Sequence, residues 1–312
     1  LTAVSLFACE LRSFGLLWFM AWRFISGVTG GGIMVLAAPT VLLHTPLRRR
    51  GLVSGAIFTG VGLGVVISGT LVPLLLQAGG LLAAWRGLGG LALLLTLASW
   101  FGWPRGAGPP SVTAPAVSLP RHRAALPALM VEYGLNAAGL VPHMLFLVLF
   151  IAHGLNRGLA AGASYWILFG LGAAAGPILT GLLADRLGFR AALRLGFAVQ
   201  VAAVLLPILN SSAPALALSS LVVGALTLGV VPLVLGRVHE LVPAIEARQR
   251  AWSQATTAFA LAQALAAYGC SYALDLTGDF RLLFAGGAML LLLALLLDLA
   301  AGATRRGARE PA

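Results

Sequence analysis

Glu132, Asn136, Gly139 and His143 stand at i, i+4, i+7 and i+11 within ALPALMVEYGLNAAGLVPHMLFLVL, a spacing that places them on one face of a helix. Glu132 and His143 can each take up and release a proton near neutral pH, so this face reads as part of a proton or solute path. An alternative stays open: Glu132 near an interface pairs with a loop arginine, and His143 bonds a carbonyl freed by Pro142. Arg23 lies about 13 Å into its apolar run at 1.5 Å per residue. A charge at that depth costs about 3 kcal/mol even on a lenient scale, so Arg23 must face a cavity or a partner. Gln200 and Gln263 are mid-run amides that contact either a solute or a neighbouring helix. Trp252, Gln254, Tyr268 and Tyr272 add polar edges to the Ala-rich run that holds Gln263, and an aromatic interface belt explains Trp252 and Tyr272 equally well.

Other chemistries find no support. His239 beside Glu240 lacks any accompanying HExxH or Cys-His spacing, and there is no phosphate loop or nucleophile elbow. Cys9 and Cys270 are isolated in apolar stretches and read as packing residues. The expectation is a non-enzyme without metal or cofactor.

The elements that position these residues follow from composition. Of 312 residues, 60% are hydrophobic and only 9% charged, against about a quarter charged in soluble domains. A water-facing protein would not tolerate that much apolar surface. Apolar runs of membrane-spanning length occur at 14–43, 51–76, 81–103, 126–152, 164–183, 191–209, 215–236, 251–274 and 280–301. They exceed membrane β-strand length and lack alternation, so the fold class is an all-α polytopic membrane protein. The run LTAVSLFAC meets Glu10 too early to cross a bilayer, so Leu1 is expected to begin mid-membrane in a helix heading outward.

The net charge of +11 comes entirely from arginine, spread through loops rather than clustered on a solvated face, which argues against a nucleic-acid partner. One set of alternate loops carries fifteen arginines, including Arg48, Arg49, Arg50, Arg105, Arg186, Arg190, Arg194, Arg237 and Arg248, against Arg12, Arg86, Arg157 and Arg281 in the other. By the positive-inside rule the C-terminus is cytoplasmic. The Pro-, Gly- and Ser-rich stretch 105–125 reads as a cytoplasmic linker between a helical bundle at 1–104 and a six-helix bundle at 126–302, with a basic tail at 303–312. At an offset of 200, Arg48, Arg50, Gly69 and Leu74 meet Arg248, Arg250, Gly269 and Leu274, a repetition of the kind found in paired transporter halves.

GLLADRLGFR, from Gly181 to Arg190, resembles the GxxxDRxGRR loop motif of the major facilitator superfamily (MFS) in Gly181, Asp185, Arg186, Gly188 and Arg190; Phe189 replaces a basic residue. In WRFISGVTGG, Arg23, Gly27 and Gly30 resemble the RxxxGxxG pattern of that superfamily's fourth helix. WRFISG, FTGVGLGVVISG, LVLGRVHELV and TTAFALAQALAAYG resemble its YbfB/YjiJ-type branch. The resemblance implies an MFS-type two-bundle fold lacking helices 1 and 2 and part of helix 3, in a bacterial inner membrane. It implies a monomeric secondary transporter of a small organic solute, working by alternating access with proton coupling. Arg23, Glu132, Asn136, His143, Gln200 and Gln263 are the expected solute and proton pathway, with the α-helical face of Glu132 to His143 turned toward the central cavity. Gly181, Asp185, Arg186, Gly188, Arg190 and Glu240 form the expected gating loop, Asp185 near Arg48 to Arg50 and Glu240 against Arg186 or Arg190. With Arg23 in one half and Glu132 with His143 in the other, an organic anion or zwitterion is favoured. The competing reading is a non-transporting membrane remnant or scaffold.

Overall fold

The computed structural model describes residues 1–43, 50–102, 125–242 and 244–307, and among these every regular element is helical. In chain order they are α1 (Thr2–Ala8), α2 (Gly15–Leu43), α3 (Arg50–Gly102), α4 (Ala125–Gly154), α5 (Leu159–Leu187), α6 (Phe189–Leu209), α7 (Ala213–Leu241), α8 (Ile245–Thr277) and α9 (Phe280–Gly307). Backbone polar groups cannot be left open in lipid, so long apolar runs close their hydrogen bonds as helices.

Six stretches among the described residues are long and apolar enough to cross a membrane: 56–102, α4, α5, α6, α7 and 280–301. One of these stretches, 56–102, holds two of the expected runs. The two runs expected at 51–76 and 81–103 lie within α3, which breaks at Gly79 and Gly80; Gly80 has φ +65, a conformation that favours glycine. The runs in α2 and α8 have spanning length, and Gln, Ser, Thr and Tyr dilute the apolar character of α8. In α4, Pro142 supplies no N–H, and the helix loosens into π turns at Pro142–Phe146 and Phe150–Gly154.

The chain forms two compact units, Leu1–Arg50 with Ile67–Thr113, and Gly51–Val66 with Ala114–Ala312. The first part of α3 thus groups by contact with the C-terminal helices. The reason is close backbone approach: a Cβ on Gly62 would lie 2.2 Å from the Ala174 nitrogen, and Thr59 Oγ1 donates to the Ala174 carbonyl at 2.9 Å. The linker at 105–124, Arg48, Arg49 and the end of the basic tail lie outside the described residues.

Within the second unit, α5 and α7 touch along a glycine seam. Added Cβ atoms at Gly172, Gly176 and Gly224 would lie 2.1, 1.8 and 2.0 Å from carbonyl oxygens of Leu221, Ala225 and Phe169. Without a hydrophobic drive between helices in lipid, such small-residue contact supplies the packing energy. Gly139 of α4 and Gly287 of α9 make a second crossing of this kind. Leu140, Leu147, Ile151, Phe169, Val204, Leu216, Val223, Phe284 and Leu291 fill the interior between α4, α5, α6, α7 and α9.

Candidate solute and proton sites

In the C-terminal bundle the glycine crossings draw α4 against its neighbours with little side chain between them, and the polar face of α4 is enclosed. Glu132 is 2% exposed, and Asn136 and His143 are fully buried. This corrects the expectation that the face opens on a cavity. The buried neighbours explain it: α6 and α7 offer polar partners at matching heights, so the groups avoid lipid by pairing inside one bundle.

Three levels follow one another along α4. At the first, Glu132 lies within electrostatic reach of Arg190 and Arg194 of α6, Arg237 of α7 and Asp298 of α9. Arg190 Nε donates to Asp298 Oδ1 at 3.2 Å, Arg194 Nε donates to Asp298 Oδ2, and both guanidinium groups also donate to the Asp298 carbonyl, at 2.8 and 3.0 Å. At the second, Asn136 Nδ2 donates to Gln200 Oε1 at 2.7 Å. At the third, His143 Nε2 meets Ser219 Oγ at 2.8 Å, and Ser219 Oγ donates to the Ala203 carbonyl at 2.6 Å.

Exposed polar residues of this unit lie on α8. Gln254, Thr257, Tyr268, Ser271, Tyr272 and Asp275 are exposed on one helical face, Tyr268 at 80% and Tyr272 at 66%. Tyr268, Ser271, Tyr272, Leu274 and Asp275 border a shallow, wide-open depression on this helix. Gln263 is half-buried on the side of α8 turned toward α4 and donates to Met144 Sδ at 3.1 Å. Trp252 belongs to no interface belt: it is buried, with its ring 6.4 Å from that of Tyr133.

In the N-terminal unit Arg23 is exposed, its guanidinium carbon 5.7 Å from the Trp85 ring centroid. Trp85 is held edge-on by Phe19, and the neighbouring Arg86 pairs with Glu10 at 2.6 Å. The indole of Trp18 donates to the Ala8 carbonyl at 2.8 Å and ties α2 to α1.

The residues of the loop motif have separate roles. Gly188 joins α5 to α6 with φ +80, which explains glycine there. Gly181 has nothing within 4 Å of an added Cβ among the described residues, so packing does not demand it. Asp185 and Arg186 are exposed, and no ion pair to either forms among the described residues. Phe189 lays its ring on Gly236 of α7, where a Cβ would come within 2.2 Å of it. Two pairings expected from sequence are corrected. Glu240 bonds Arg237, one helical turn away on its own helix, and Arg190 turns inward to Asp298 instead of meeting Glu240.

Sequence reasoning missed Asp298. Its signal was present: a lone carboxylate in LLLLALLLDLAAG is an ionisable group inside a spanning run, and such groups face a partner. Ser219 gave no such signal, since a serine can satisfy itself on its own helix. Asp275 and Ser271 were visible only once the exposed face of α8 was defined.

The family model described as "Uncharacterised MFS-type transporter YbfB" matches residues 1–299. No curated protein matches the chain. Among solved structures, the human organic anion transporter MFSD10 (TETRAN) superimposes with a TM-score of 0.66 at 21% identity, covering 95% of this chain and 74% of that one. A variant of the E. coli fucose:proton symporter FucP gives 0.64 at 12% identity, covering 96% and 80%. A bacterial homologue of the iron transporter ferroportin in an outward-facing state gives 0.66 at 15%, covering 97% and 81%. These likenesses establish the fold. With the family model spanning nearly the whole chain, the all-helical membrane architecture and the DRxG loop have one common account: the chain belongs to the major facilitator superfamily of transporters, in the YbfB-type family.

Proposed function

We propose that the protein is a secondary transporter that moves a small polar organic solute, an anion or zwitterion, by alternating access coupled to protons in a bacterial inner membrane. One observation carries this reading: in a chain that is 60% hydrophobic, one face of α8 exposes polar residues toward both ends, Gln254 and Thr257 at one and Tyr268, Ser271, Tyr272 and Asp275 at the other, with Leu261, Ala264 and Leu265 between them. Lipid cannot solvate that face, so it borders water and is the surface a solute meets. Asp275 with the rings of Tyr268 and Tyr272 suits an ammonium group, through charge and the aromatic faces. Arg23 is proposed to recognise a carboxylate, Gln263 to add an amide contact beside the α8 face, and Glu132 and His143 to handle the proton. Asp185 and Arg186, exposed at the α5–α6 junction, are proposed as the gating pair.

The test is uptake into proteoliposomes of a panel of labelled zwitterions, carboxylates and amines, with and without a pH gradient. Expected are accumulation of a carboxylate-bearing solute with the gradient, its loss in Arg23→Ala, and loss of zwitterions but not simple carboxylates in Asp275→Asn. Carboxylate transport unchanged by Arg23→Ala would sink the substrate assignment.

A further inference from the structure

The core of the C-terminal bundle contains polar atoms with nothing to bond. Asn136 Oδ1, Gln200 Nε2, His143 Nδ1 and Ser220 Oγ are all buried and unpartnered. With Trp252 Nε1 apart on α8, these four lie together: Asn136 and His143 share the α4 face that begins at Glu132, Gln200 faces Asn136 from α6, and Ser220 follows Ser219 on α7. Hydrogen-bond chemistry fixes what each lacks. Ser219 spends its only proton on the Ala203 carbonyl, so it accepts from His143 Nε2–H. His143 is therefore the Nε2–H tautomer, and its Nδ1 presents a bare lone pair to the interior. Asn136 and Gln200 share one bond, which in either amide orientation leaves one donor and one acceptor over. Those two leftovers are complementary to one water, which accepts from the free amide N–H and donates to the free amide oxygen. Buried polar groups are almost always satisfied, and water is the usual agent where protein is not.

We propose that the interior of the C-terminal bundle holds a file of water molecules running along α4 from Glu132 past Asn136 and Gln200 to His143 and Ser220, and that this file relays protons between Glu132 and His143. Glu132 releases its proton to the first water; successive O–H bonds break and form along the file; His143 Nδ1 accepts the last proton and becomes imidazolium, and the reverse sequence restores both groups. Electrons and protons balance with no other reactant. The charged groups facing Glu132 are Arg190, Arg194, Arg237 and Asp298, and Phe284 packs edge-on against the His143 ring with centroids 5.1 Å apart. By rise, Glu132 and Asn136 are about 6 Å apart along the axis and Asn136 and His143 about 10 Å. The file lies on the enclosed face of α4, so the proton route is separate from the open solute face of α8. This inference rests on the proton-coupled reading only for its physiological use, since its test needs no solute.

The experiment is radiolytic hydroxyl labelling of the protein in lipid nanodiscs, read by mass spectrometry, in which radicals formed from bound water mark adjacent side chains. His143 should label several-fold faster than Phe197, which is just as buried but among apolar neighbours, and His143 labelling should fall to the Phe197 level in Asn136→Leu/Gln200→Leu. Difference infrared spectroscopy supplies a second readout. The Glu132 carboxyl band, assigned by its loss in Glu132→Gln, should shift together with imidazole bands of His143 in the unsubstituted protein and independently of them in the double variant. His143 as protected as Phe197 overturns the file even if pH-driven solute flux is present, leaving the transport reading intact. A labelled core with uncoupled carboxyl and imidazole bands overturns the relay. Solute flux indifferent to a pH gradient, with labelling and band coupling both present, supports the file and defeats proton-coupled transport instead.

Discussion

Asp298 is the residue on which one end of the C-terminal bundle converges, since two arginines of α6 bond both its carboxylate and its carbonyl. Removing its charge leaves Arg190 and Arg194 half-buried with only neutral oxygens as partners, and breaking a buried pair costs about 3–5 kcal/mol. Because the arginines are partly solvated, Asp298→Asn is expected near the lower end, about 3 kcal/mol. The readout is a drop in the thermal unfolding midpoint in detergent, against no change in Asp275→Asn. A variant as stable as the unsubstituted protein would show that the carboxylate charge does not hold the arginines. Most of the polar residues were legible in the sequence, but not their surroundings. The i, i+4, i+7, i+11 spacing says that Glu132, Asn136, Gly139 and His143 share a face; it does not say whether that face meets open water or other helices, because both keep polar groups out of lipid. Gln200 completes Asn136, which two separate spans could not reveal. Glu240 looked outward to a neighbouring loop because Arg237, three residues back, offers a partner that every loop arginine also offers.

At the scale of elements, the helices and their limits were readable because a span needs a long apolar run and a lipid environment allows little but helix. The crossings were not, since a glycine in a transmembrane run is equally a seam, a kink or a cavity lining. The structure separates these uses: Gly176 is seam, Gly80 is break, and Gly181 is neither. Gly176→Ala places a methyl where the Ala225 carbonyl oxygen would be 1.8 Å away, and α5 and α7 must part to admit it. Overpacking of this kind costs about 1–3 kcal/mol or more, whereas Gly181→Ala should be neutral or slightly stabilising. Paired unfolding curves of the two variants check this, and equal curves would contradict the seam. Gly188→Ala should cost about 1–3 kcal/mol through its positive φ, with the loss visible in stability. Gly278, which ends α8 with φ +65, should behave alike but with less effect on the α5–α6 junction.

For the whole molecule, the fold class was legible from composition alone, whereas the contacts of α3 were not. Gly51–Val66 belongs by sequence order to the first half but by contact to the C-terminal helices, because Gly62 and Gly170 let two backbones meet. Arginine asymmetry sets an expected orientation that a single experiment checks. Glu240→Cys and Asp275→Cys, in a background with Cys9 and Cys270 replaced, should react with an impermeant maleimide from opposite sides of the membrane, position 240 from the cytoplasm. Labelling of both from one side would overturn the orientation. The contact of Phe189 with Gly236 reaches beyond this one chain. The ring occupies the volume that any side chain at 236 would need, so the departure from a basic residue in the loop and the glycine on α7 are two halves of one change. Among related sequences these positions should therefore drift as a pair: lineages that keep a basic residue at the first should be free to carry bulk at the second, and lineages with an aromatic ring should not.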